Sequence, residues 1–182
     1  YPEWFRALKA GRSFATNGPM LFLTVNGREP GETIQIPAGA GKSSRNLKVH
    51  VEASTAGELE RLEIVWKGRV VKATAPTDKP DSLSLDFEFE AEESGWLAAR
   101  AFEKSAASVR FAHTSPVYVR LGMRSGVVAE DARFFLDWID RELSFYERHA
   151  GFRTEAHRQA MLGLFRQARA VYERLARAAQ PK

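Results

Sequence analysis

The chain has no cysteine among its 182 residues. That excludes a disulfide framework, a thiol nucleophile and any Cys-based zinc site, and it leaves the redox compartment open. No run approaches the roughly 18 apolar residues a helix needs to cross a bilayer, and no repeat of roughly 20–50 residues recurs. Histidine is scarce: His50, His113, His149 and His157. No two of them stand at a spacing that would make them converge on a metal. There is no Gly-x-Ser-x-Gly elbow to expose a serine nucleophile. The run Gly39-Ala40-Gly41-Lys42-Ser43-Ser44 is only a fragment of a phosphate loop. Ile36 stands where the first glycine is required, and Leu47 to Ala53 reads as a strand rather than the helix that would meet a phosphate. It reads as a flexible turn between strands.

What is present is an ordinary globular composition, 44% hydrophobic and 27% charged. It suits one domain, or one domain with an added subdomain, and is long enough to bury a core without metal staples. The net charge is +4. Much of the basic excess sits in Arg153, Arg158, Arg166, Arg169, Arg174 and Arg177, with Glu155 and Glu173 interspersed. That reads as a solvated helix face rather than a nucleic-acid footprint. No nucleic-acid partner and no membrane span is expected.

From Met20 to about Arg120 the hydrophobic period is mostly two. Met20 to Val25 is an apolar run ended by Asn26-Gly27, the dipeptide of a tight hairpin turn. Leu47 to Ala53 and Leu83 to Phe89 alternate strictly, as half-buried strands do. Arg61 to Trp66 leads through Lys67-Gly68 into Arg69 to Ala73, a second hairpin. Thr33 to Ile36, Ser94 to Glu103 and Pro116 to Leu121 are further strands. Seven or eight short strands with turns between them predict an immunoglobulin-like antiparallel β-sandwich over 20–122. After Gly126 the period becomes helical. Phe134, Phe135, Trp138, Ile139, Phe145 and Tyr146 make an aromatic stripe, Gly151 breaks the helix, and Thr154 can cap a second one. A helical hairpin is expected over 128–179. Tyr1 to Gly11 reads as a helix with Pro2 in its first turn and glycine at its end. A helix so placed suggests a chain cut from a longer protein, with 1–19 as the junction.

Individual candidates are few. His113, in Ala112-His113-Thr114-Ser115-Pro116, sits beside two hydroxyls just before a proline-started strand, placed to brace a loop or face a pocket. His50 belongs to the polar face of its strand. Glu88, Glu90, Glu92 and Glu93 cluster on a strand face and the turn after it, where acid/base work or calcium binding competes with plain solvation. Whether Trp66 or Trp96 is exposed, as sugar binding would need, is open at this level.

One stretch differs in kind. Trp4 to Pro19, with its Gly-Arg-Ser-Phe-Ala-Thr-Asn-Gly-Pro run, resembles a late segment of bacterial PHP-type metallohydrolases of the CehA/McbA group. Val25-Asn26-Gly27 with Pro30-Gly31, and Ala112 to Val119, look like later segments of the same group. In that family the metal ligands belong to an upstream domain carrying His-x-His and Gly-Ser-Asp-x-His. Neither motif occurs here, so no metal ligand and no catalytic residue is carried over. The resemblance implies a non-catalytic C-terminal accessory domain whose partner is the preceding catalytic domain, and any divalent metal would reside there. It implies that Arg12, Ser13, Thr16 and Asn17, with His113, line the interface with that domain or its pocket; bracing of local backbone is the plainer role for the same side chains. Two other readings stand beside it: a stand-alone carbohydrate- or protein-binding sandwich, and a self-contained hydrolase using His113 with Ser115 or the Glu88 to Glu93 cluster. Substrate, compartment and oligomeric state stay open.

Overall fold

Period-two alternation becomes strand. The segment Asn46–Ser54 buries Leu47, Val49, Val51 and Ala53 and turns Lys48, His50 and Glu52 outward, as the geometry of a half-buried strand requires. The computed structural model describes residues 1–77, 79–105, 107–148 and 151–179. In chain order the elements are α1 (Pro2–Lys9), β1 (Phe14–Thr16), β2 (Met20–Val25), β3 (Thr33–Ile36), the single turn α2 (Lys42–Arg45), β4 (Asn46–Ser54), β5 (Leu59–Trp66), β6 (Arg69–Thr74), β7 (Ser82–Glu90), β8 (Gly95–Glu103), β9 (Phe111–Thr114), β10 (Val117–Leu121), α3 (Ala129–Arg148) and α4 (Glu155–Ala178). They fall into two compact units, Tyr1–Arg124 and Ser125–Lys182.

The first unit is an immunoglobulin-like sandwich. The small sheet runs β2-β4-β7. The large sheet runs from β6 through β5 to β8, and both β9 and β10 then pair with β8: His113 opposite Arg100, Tyr118 opposite Trp96. β9 and β10 therefore share one strand position in series, interrupted at Ser115-Pro116, where proline has no N–H for the ladder. β1 flanks β9 and β3 flanks β10. The chain crosses between sheets from β4 to β5, from β6 to β7 and from β7 to β8, the Greek-key wiring of such sandwiches. Leu21, Leu23, Leu47, Val49, Leu62, Ile64, Leu97, Val117 and Val119 fill the space between the sheets.

Four expectations are corrected or extended. The sandwich is not wholly antiparallel, because β3 pairs with β10 in parallel, Thr33 opposite Tyr118 through Ile36 opposite Leu121. The reason lies at Asn26-Gly27. Both residues have positive φ, 50° and 72°, as a type I′ turn demands, and Val25 and Arg28 exchange two 2.9 Å backbone bonds. The returning chain pairs no further with β2, since Asn26 is tied to Lys48 of β4 through backbone and side chain. It leaves through Pro30-Gly31 to the other sheet, where the free side of β10 runs in its own direction. Secondly, residues 14–16, expected in a junction loop, form β1 of the large sheet. Thirdly, His113 lies within strand β9 rather than at a corner before a strand. Lastly, one helical turn, α2, follows Gly41; its four residues are too few to sum the peptide dipoles that hold a phosphate.

The second unit is the expected helical hairpin. Thr154 caps α4, its Oγ1 accepting the N–H of His157 at 3.2 Å. Between the helices Tyr146 stacks on Phe165 and Phe135 on Tyr172, around Leu143 and Leu162. His149 lies outside the described residues.

Candidate functional site

The run from Gly11 to Pro19 is built from the end of α1 outward. Gly11, at φ 76°, ends the helix in a Schellman motif: its N–H bonds the carbonyl of Leu8 at 3.0 Å and that of Arg12 bonds Ala7 at 2.9 Å. Gly31 packs directly beneath this cap. A Cβ on Gly31 would stand 1.8 Å from the Ala10 carbonyl oxygen, so only glycine permits the approach. Gly31 N–H donates to Pro116 O at 2.8 Å, and Ser115 N–H donates to Ser13 O at 2.9 Å. The Ser13 and Ser115 hydroxyls meet at 3.1 Å. Residues 11–16, 31 and 112–116, distant in sequence, thus form one seam along the edge of the large sheet.

Within the seam most polar side chains are engaged in bracing. Thr16 Oγ1 donates to Pro19 O at 2.6 Å and accepts Gly18 N–H at 2.9 Å. Asn17 donates to Val109 O at 2.9 Å and accepts Phe111 N–H at 2.7 Å. Arg12 is different. It is half exposed, faces Glu29 at 3.8 Å, and with Ser13, Phe14, Leu23, Pro30 and Thr114 lines a cleft of about 250 Å³. A larger hollow of about 500 Å³ on the small sheet is lined by Phe22, Glu52 and Ser84 and holds none of the predicted residues.

Register carries the seam across the outer face of the large sheet. Ala15 lies opposite His113, His113 opposite Arg100, and Arg100 opposite Glu63. One row along, Phe111 lies opposite Phe102, and Phe102 opposite Arg61. Sequence reading named His113 but passed over its neighbours. Glu63 accepts from Arg61 Nε at 2.8 Å and from Arg100 Nη2 at 2.6 Å. The Arg61 guanidinium sits 3.7 Å from the Phe102 ring centroid, and Phe102 stacks on Phe111 at 6.2 Å. Trp96 and Tyr118 pair further along. Trp66 turns the other way, into the core against Phe89 at 5.0 Å. The His113 side chain is half-buried and makes no hydrogen bond or ion pair among the described residues.

Comparison with known proteins adds little to this geometry. No protein-family model matches the chain, and no curated protein matches it. A solution structure of a CARDB domain from Pyrococcus furiosus is similar over 56% of this chain and 95% of its own, at 13% identity and a TM-score of 0.36. So distant a likeness carries no argument, and the immunoglobulin-like assignment rests on the strand wiring.

The remaining candidates disperse. Glu88 accepts from Asn46 at 2.7 Å, Glu90 faces Arg45 at 3.9 Å and Glu93 pairs with Lys67 at 2.8 Å, so the acidic cluster is three separate pairings. His50 is held between Asp86 at 2.9 Å and Glu52 at 3.1 Å. The bond to Asp86, then that to Glu52, raises its pKa against a slight opposing effect of burial. Among the described residues no group of three or more His, Asp and Glu side chains is arranged to hold a metal ion.

Glu63 makes the outer face pH-sensitive. Burial works to raise its pKa, but the hydrogen bonds from Arg61 and Arg100 outweigh it, and the net shift is downward. A depressed carboxylate stabilises the fold above its unfolded value, about 4.3, and that stabilisation is lost as pH falls through the folded value. Urea midpoints are therefore expected to drop between neutral pH and pH ~3, with a shallower drop in Glu63→Gln. An acid limb of equal depth in both proteins would refute this account.

Proposed function

We propose that this chain is a non-catalytic accessory module, the C-terminal domain of a PHP-type metal-dependent hydrolase, which packs on a preceding catalytic domain through the seam. The observation that carries this reading is convergence. The three stretches bearing the resemblance, 4–19, 25–31 and 112–119, are discontinuous in sequence, yet they meet at Gly11, Gly31, Ser13, Ser115 and Pro116. Accidental resemblances scattered along a chain have no reason to meet in space. α1 supports the same reading: Trp4, Phe5 and Leu8 are exposed on a helix fixed to the seam by its Schellman cap, an apolar surface suited to a neighbouring domain. Arg12 and Ser13, which line the cleft, are in this reading the side chains that reach that domain or its substrate.

In this reading a divalent metal belongs to the preceding domain and none of its ligands to this chain. The region encoded before Tyr1 is expected to carry His-x-His and Gly-Ser-Asp-x-His, and metal analysis of the longer protein is expected to find bound metal that the purified chain lacks. A preceding region of another kind, or stoichiometric zinc, manganese or iron held tightly by the chain alone, overturns the reading.

A second reading, a stand-alone carbohydrate- or protein-binding module, is favoured by one observation: the aromatic outer face of Phe102, Phe111, Trp96 and Tyr118, of which Phe111 and Tyr118 are exposed. Planar aromatic surface of this kind suits sugar rings and protein hot spots alike. A glycan array without hits removes the carbohydrate form of it.

A further inference from the structure

The two helices of the second unit divide their surface by a seven-residue rule. Trp138 and Phe145 are seven apart on α3, and Leu164 and Val171 are seven apart on α4; all four are exposed, with Phe134 and Phe135 beside them. Two residues after each comes a charged one: Asp140, Glu147, Arg166 and Glu173. Two residues are about 200° around a helix, so each charged row lies on the far side from its apolar row. The charged rows meet across the hairpin, Arg169 pairing with Asp140 at 2.6 Å and with Glu173, and Arg166 with Glu147 at 3.2 Å. Both therefore occupy one face of the hairpin, which places both apolar rows together on the other. Phe134 is 59% exposed, Trp138 53% and Leu164 67%, far more than the core face of a finished bundle leaves open.

We propose that this apolar face is a self-association surface on which a second copy of the chain seats its own hairpin, closing a four-helix bundle around a twofold axis. Two features favour a second copy. A spacing of seven on both helices is the period at which helices pack at small crossing angles, and it is best met by helices with the same period; the partner hairpin supplies them. The area is also of the right size. Six large apolar side chains about half exposed, with aromatics contributing about 150–250 Å² each when wholly buried, leave roughly 500–700 Å². With small neighbours such as Ala168 this approaches the ~800 Å² per partner of a standard interface. This inference does not depend on the accessory-domain reading, and neither stands or falls with the other.

The test is light scattering and sedimentation equilibrium on the full chain across the micromolar range. The expected result is a dimer that Trp138→Glu and Leu164→Glu each weaken by about thirtyfold or more, the loss of a central interface residue, while the helical circular-dichroism signal is kept. Because the chain has no cysteine, Gln167→Cys, at an exposed α4 position outside the six apolar side chains, takes a single spin label, and label-to-label distances within one dimer report whether two hairpins face each other. A chain monomeric at every concentration overturns the proposal, as does a dimer indifferent to both glutamates or labels too far apart to couple.

Discussion

Arg110→Ala is expected to destabilise the sandwich by about 3–5 kcal/mol, more than Glu103→Gln, although Arg110 is half exposed and the Glu103 side chain is 3% exposed. Glu103 ends β8 and is the knot of three loops. Its carboxylate accepts from Thr55 Oγ1 and forms an ion pair with Arg110, Oε2 lying 2.8 Å from Nε, and it packs against Gly18, where a Cβ would come 2.9 Å from Oε1. The asymmetry follows from which charge is left behind. Removing Arg110 strands an ionised carboxylate away from water, and an unpaired buried charge is costly. Glu103→Gln removes that charge and keeps the shape, while Arg110 still reaches solvent. What it forfeits is the ion pair with Arg110 and charge assistance in the Thr55 hydrogen bond, about 1–3 kcal/mol in all. Urea denaturation of the two variants decides it; a larger loss from Glu103→Gln, or equal losses, would show that packing of the loops rather than charge pairing sets the cost.

Legibility in the sequence tracked the range of the interaction. β4 and β7 could be read because alternation in 47–53 and 83–89 reports local burial, and the structure buries Leu47, Val49 and Val51 in that phase. The turn at Lys67-Gly68 could be read because Gly68, at φ 82°, takes a positive φ without a side-chain penalty, although Lys67 adopts φ 48° beside it. β9 was illegible for a physical reason: Phe111 faces out while the smaller Ala112 and Thr114 are buried, so the usual size pattern is inverted. The parallel pairing of β3 with β10 joins residues some eighty positions apart and has no local signature. The candidate site divides the same way. Arg12, Ser13, Thr16 and Asn17 drew attention through one continuous run, whereas Arg61, Glu63 and Arg100 stand on two strands and meet only through register. Nothing in the sequence could have marked them as neighbours of His113.

Gly31→Ala is expected to open the seam without unfolding the sandwich. Gly31 has φ 87°, a backbone conformation that costs a residue with a side chain about 1–3 kcal/mol. The added methyl would also stand 1.8 Å from the Ala10 carbonyl oxygen, and relief requires moving the α1 cap or breaking the Gly31 to Pro116 bond. Overpacking of that kind adds about 1–3 kcal/mol. The sum exceeds what a three-residue strand and one helix cap can hold in place, so α1 and β1 should detach before the core yields. Hydrogen exchange is expected to quicken by about 10²–10³ at the Arg12 and Ser115 amides, with little change at Val49 or Leu97 in the core strands. Gly27→Ala is the control: Gly27 has φ 72° but nothing within 4 Å of a Cβ, so it should cost only the backbone term, about 1–2 kcal/mol, and leave seam amides protected. If the two variants behave alike, close packing of Gly31 beneath α1 is not what holds the seam. If they separate as expected, Gly31→Ala becomes the means of testing the proposed accessory role, because it releases α1 and β1 from a sandwich whose core is still folded.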